Sequence, residues 1–369
     1  MQFPHVDPIP IPAPVWLMKV LSLLTLTLHF FAVQILIGSL VAVIYFSLKS
    51  KGSAGSGNRV AALAVARRLP IVMTYVINLG IPPLLFAQVL YGRALYSSTI
   101  LIGAEWISVI FMVTACYWIL YQISERTLQG KPTHWLAGGA LLLAALVGHI
   151  YASAMTLMLK QEVWQAMYAK NATGLQAAPH DPTLEPRLLF ILVGGFLVGG
   201  FWLTLHSRLQ TIDAEAATAL RKTGTTFALI GGIGELVAGY WAYSVQPAAV
   251  QGGLTSLYYH GAEIIWAVGF LLAFLVAAFQ LAKKATSALI SIIGSLGAFL
   301  GIAGAVMVRD GIRDVTLFQK GYDVWNRQEA SNWYVIGIFL VLFVAGLGAV
   351  GWLLMVMKNA KPIPEQVIS

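Results

Sequence analysis

The sequence has a single cysteine, Cys116, among 369 residues. One thiol excludes a disulfide framework, a cysteine-rich zinc site and the CxxCH attachment of a covalently held heme. Charge is equally scarce: Asp, Glu, Lys and Arg make up 10% of the chain, whereas a soluble domain carries about 25%. That leaves too little polar surface to cover a water-soluble protein of this length. Nucleic-acid binding, secretion and the soluble enzyme folds drop out. The opening stretch MQFPHVDPIPIPAPVW lacks a basic n-region, so it is not expected to act as a cleaved signal peptide.

What the sequence does have is apolar length. Hydrophobic residues form 58% of it, and the mean hydropathy is +0.77. They come in blocks of about 20 or more, enough to cross roughly 30 Å of hydrocarbon. Sustained blocks of this kind favour helices over barrel strands, which alternate in short segments. The expected fold is an all-α polytopic bundle of about nine transmembrane helices, a single transmembrane domain over 1–369. The spans fall near 16–47, 70–92, 99–123, 135–158, 188–206, 223–245, 261–282, 286–308 and 333–357. The first is too long for one crossing and is expected to tilt or to project beyond the lipid. The connections 159–187 and 309–332 are expected to form caps.

Alternate connections carry 14 and 8 Lys and Arg residues. By the positive-inside rule this places the N-terminus outside and the C-terminus in the cytoplasm, and the net charge of +8 is read mainly as topology. The stretch KGSAGSGN at 51–58 has the composition of a flexible linker. The pairs Gly194-Gly195 and Gly199-Gly200 should let neighbouring helices approach closely. Pro82-Pro83 should break or kink the second span, which makes that span a candidate part of the functional interior. Tryptophans and tyrosines gather at span ends and caps, the aromatic belt of any membrane protein.

Ionisable groups inside spans are costly and are functional candidates by default. They are His29, Glu105, His149 and Glu235, with His260 and Glu263 at the start of the seventh span. Lys19 and His206, near span ends, are expected to reach water by snorkelling. His29 and His149 fall at comparable depth, so two imidazoles are available to ligate one heme iron. His260 and Glu263 form the one HxxE pair, without an evident third ligand for a metal. Glu105, Glu235 and Glu263 are candidates for proton exchange.

Residues 16–47 with HF at 29–30, INLGIPPLLFAQVLYG at 77–92 and IGAEWISVIFM at 102–112 resemble the opening of cytochrome bd oxidase subunit I. The similarity is best over 15–125. That family begins with a heme-ligating His-Phe in its first helix, has nine helices and an outside N-terminus. The resemblance implies a heme b ligand at His29 and a proton-exchange group at Glu105. It departs at Val113, Phe190 and Ile265, where the family carries a second glutamate, a heme histidine and a heme methionine. Its Gly-Arg-Gln-Pro-Trp stretch survives at most as GIRDV at 311–315, and its quinol-binding loop shortens here to the 15 residues 246–260.

The resemblance therefore implies a heme-b-binding subunit of a respiratory electron-transfer complex in a bacterial inner membrane, an oxidoreductase subunit if it is an enzyme. Partners would be other membrane subunits and a c-type cytochrome on the outer face, docked on the basic residues at 309–327, with quinone as a candidate. Two alternatives stand beside it. One is a cofactor-free anchor for cytochrome c or iron–sulfur subunits. The other is a secondary transporter using Glu235 and the second span, against which the lack of an internal repeat counts.

Overall fold

The computed structural model describes residues 10–50, 57–209, 212–283 and 287–359. Most of the 51–58 linker, the first residues of the N-terminal stretch and the end of the basic tail lie outside the described residues. Within them the chain is helical, with one isolated bridge, Ile11 to Glu329, tying the N-terminal segment to the stretch before the last helix. Eight segments are long and apolar enough to cross a membrane among the described residues, as the block pattern implied.

The first helix, α1 (Val15–Lys49), has 35 residues. At 1.5 Å per residue that is roughly 52 Å, so it projects beyond the hydrocarbon as expected. A short α2 (Gly57–Ala66) leads into α3 (Leu69–Leu101). There the structure corrects the sequence reading: α3 runs on through Pro82-Pro83, and the non-helical residue inside it is Tyr91 (φ −125°, ψ 19°). A break at Ile102 starts α4 (Gly103–Leu128), antiparallel neighbour of α5 (His134–Leu157).

The cap after α5 holds α6 (Gln161–Lys170) and then a turn stapled by Asp181. Asp181 accepts from the Thr183 backbone N–H at 2.8 Å and is ion-paired with Lys160. From this turn α7 (Leu184–His206) begins. The next helix, α8 (Ala214–Ser244), is N-capped by Asp213, whose side chain accepts from Ala216 N–H at 2.7 Å. Its 31 residues are ample for a crossing. However, threonines, glycines and Glu235 make it less apolar than the eight, so the expected ninth span is a more polar helix packed between α7 and α10 (Leu257–Lys283). A six-residue α9 (Ala248–Gly253) precedes α10. Then come α11 (Ala288–Gln319) and α12 (Trp333–Asn359).

The paired glycines act as anticipated. A Cβ on Gly38 of α1 would stand 2.0 Å from the Gly195 carbonyl oxygen and 2.6 Å from the Gly199 Cα. Only bare backbones fit there, and α1 and α7 touch main chain to main chain. Without a hydrophobic drive between helices in lipid, this close van der Waals fit is what holds such seams.

At one end of the bundle the helices are joined by charge. Lys19 is 3% exposed and does not snorkel. Its ammonium sits 2.8 Å from Asp310 Oδ2 and 2.6 Å from both carboxylate oxygens of Asp314, and bonds the Tyr91 hydroxyl oxygen at 2.6 Å. The Tyr91 hydroxyl lies 3.0 Å from an oxygen of each aspartate, and the Trp325 indole N–H donates to Asp314 at 3.0 Å. Arg313 lies over the Tyr91 ring at 4.5 Å and 3.8 Å from Asp310. Asp310, Arg313 and Asp314 share one helix face at i, i+3 and i+4. The chain therefore stays helical to Gln319, and the cap expected at 309–332 begins only there. The departure from helical dihedrals at Tyr91 falls on the one residue of α3 whose side chain enters this network.

Two outcomes are expected. Lys19→Met leaves two buried carboxylates with Arg313 as their one remaining close cation and should destabilise the protein by about 3–5 kcal/mol, read as unfolding in detergent micelles. At Asp181, burial pushes the carboxyl up, but the bonds from Lys160 and Thr183 outweigh it and hold it below its ordinary value. A carboxyl lowered in the folded state stabilises above its unfolded pKa, roughly 3.9, and the stabilisation fades as pH falls through the folded value. The stability gap between wild type and Asp181→Asn should therefore be full at pH 7 and close below about pH 4.

Candidate cofactor site

His29 projects from α1 toward α3. Its Nδ1 lies 3.0 Å from the Val76 carbonyl oxygen. A carbonyl can only accept, so Nδ1 carries the hydrogen, and the neutral ring leaves a lone pair on Nε2. No partner occupies Nε2 among the described residues. Gly80, one turn beyond Val76, makes this posture possible: a Cβ there would stand 2.9 Å from His29 Cε1 and 3.0 Å from Nδ1. One ring nitrogen is thus tethered to backbone and the other is presented, the orientation in which histidines ligate metals.

The other candidates make no contact with His29. His149 is on the exposed face of α5, and Glu105 is in the first turn of α4. No hydrogen bond or ring contact joins His149 to His29. His260 and Glu263 pair with each other at 3.4 Å on a partly exposed edge of α10.

Glu235 stands in the dry interior at 0% exposure. Its Oε1 accepts from Gln34 Nε2 at 3.1 Å, and both groups press on Gly194, where a Cβ would come within 2.1 Å of each. Glu235 Oε2 and Gln34 Oε1 are left without partners. Toward the far end of α7 this pair is followed by fully buried apolar side chains, Leu197, Phe201, Ala228 and Ile302.

Among the described residues no three of His, Cys, Asp and Glu stand close enough to hold a metal ion. A porphyrin is different, because it brings four nitrogens of its own and asks the protein for one or two axial ligands. His29 fits that requirement. The positions matching the family's other heme ligands do not. Phe190 packs edge-on against Phe270 at 5.7 Å, Ile265 is 37% exposed, and neither can ligate iron.

The basic residues expected to dock an acidic partner are mostly engaged within the chain. Arg313 joins the Lys19 network, Lys320 donates to Glu162 and to the Leu159 carbonyl oxygen at 2.6 Å each, and Arg327 donates to Tyr322 and to the Leu90 carbonyl oxygen. Sequence reasoning missed this network. Its signal was the Asp-x-x-Arg-Asp spacing at 310–314, an ion-pairing face directly continuing an apolar helix.

No family profile and no curated protein matches the sequence. Among solved structures the chain is similar to the bd oxidase from Geobacillus thermodenitrificans, with a TM-score of 0.70 over 96% of this chain and 100% of that chain, at 12% sequence identity. The resemblance drawn from residues 15–125 thus extends, as architecture, along nearly the whole molecule. The chain has the helical membrane fold of a bd oxidase.

Proposed function

We propose that this chain is a heme-b-carrying integral subunit of a respiratory electron-transfer complex, with His29 as the axial ligand. The observation that carries the reading is the posture of His29: Nδ1–H tethered to Val76, Nε2 unpartnered, and Gly80 clearing the space beside the ring. The shared fold with bd oxidase supports it. When bound, heme b supplies a one-electron centre. The chain's residues do the rest. Val76 fixes the tautomer and raises the basicity of Nε2, and Gly80 sets the ring's position. Glu105, in the first turn of α4, and His149, exposed on α5, expected separately as a proton group and a second ligand, are both assigned to proton exchange. Glu235 is assigned to proton storage beside Gln34.

One observation favours a second reading, the cofactor-free anchor: at the departed histidine position Phe190 packs edge-on against Phe270. An optical spectrum of the purified protein separates the two. The heme reading expects a Soret band in the wild type that His29→Ala abolishes. Gly80→Val, which crowds the ring without removing it, should weaken heme retention by roughly 10–100-fold. A wild type without the band, or a band unchanged in His29→Ala, overturns it.

A further inference from the structure

Arg309 is the first charged residue after 21 uncharged positions of α11, residues 288–308. That run is roughly 32 Å long, about one thickness of hydrocarbon, so Arg309 sits at its edge. The antiparallel α7, in contact with α11, places Arg187 just before its own uncharged run 188–205. The two arginines therefore stand at the same level of the membrane, and both are half-buried.

Their charges are not balanced by the chain. Lys19 and Arg313 are matched by Asp310 and Asp314 in the network described above. Arg187 is held by neutral oxygens, donating to the Thr183 carbonyl at 2.7 Å, to the Thr183 hydroxyl at 3.1 Å and to the Thr156 hydroxyl. The nearby Asp181 is already bonded to Lys160. Arg309 makes no hydrogen bond or ion pair among the described residues. It lies one turn from Arg313 on the same face, and the charges of both Arg313 and Arg187 act against it, while the neighbouring Asp310, which acts in its favour, is already engaged by Lys19 and Arg313. Like charges gathered at the edge of a low-dielectric slab repel and call for an anion from outside the chain.

We propose that Arg309, with Arg187 beside it, binds a phosphate group at this edge of the bundle. A guanidinium presents a planar fork of donors that matches phosphate oxygens two at a time. The level of the site is that of phospholipid headgroups. The same chemistry would accept free phosphate.

The test uses the full-length protein in detergent micelles, with thermal unfolding followed after adding phosphatidylglycerol, phosphatidylcholine or inorganic phosphate. Phosphatidylglycerol should raise the Tm on the order of 3 °C more than phosphatidylcholine. Arg309→Gln should lose most of that difference and Arg309→Lys should keep part of it. Inorganic phosphate giving the full shift assigns the site to free phosphate, and a shift with lipid alone assigns it to the headgroup. Equal shifts from both lipids with none from phosphate, or a phosphatidylglycerol shift unchanged in Arg309→Gln, overturn the proposal. If Arg309→Gln fails to accumulate, Arg187→Gln provides the same readout.

Discussion

The arrangement of this bundle depends on one ammonium group that water does not reach. Lys19 sits near the end of α1 with 3% exposure, and a buried cation is tolerable only if opposite charge and hydrogen bonds surround it. Asp310 and Asp314 supply the charge, and Tyr91 supplies an oxygen. Because these groups come from α1, α3 and α11, satisfying one lysine sets the relative position of three helices. It also keeps α11 helical for a further three turns beyond its apolar run. With the Gly38–Gly195 seam clamping α1 to α7 lower down, α1 is fixed at two levels. His29 lies between them and inherits that rigidity.

That inheritance matters for the site. An axial ligand must hold its ring within a narrow range of orientations, and here three features act on one imidazole: a rigid helix, a tether to the Val76 carbonyl, and an absent side chain at Gly80. Gln34, bonded to Glu235 of α8, stands five residues further along α1, on a different face. The imidazole meets α3, while the buried amide and carboxyl meet α7 and α8. The chain thus keeps the imidazole proposed as heme ligand apart from the buried carboxyl proposed for proton storage, both on rigid elements.

Much of this architecture was legible in the sequence, and the reason is physical. Hydrocarbon thickness sets a length, charge sets the ends, and small residues set close contacts, so spans and the Gly194–Gly200 seam could be read directly. The Gly80 vacancy beside His29 could not, since it depends on α1 and α3 meeting. Pairings across helices were equally hidden. Lys19 looked like a snorkelling end residue because its partners lie about 290 positions away in the chain. The prolines of α3 suggested a break that instead falls at Tyr91, where tertiary bonds to the charge network override local propensity. His149 matched His29 in depth, but depth says nothing of the side on which a helix presents a residue, and it lies on the exposed face of α5.

In the proposed reading this chain keeps one heme-ligating position of a bd-like fold, His29, and carries non-ligating residues at the others. The most direct measurement is a pyridine-hemochrome assay on the purified full-length protein, normalised to chain concentration. The account predicts heme b bound to the isolated chain in proportion to its amount. Protein of full helical content that carries no heme would contradict it and would leave the fold as an anchor.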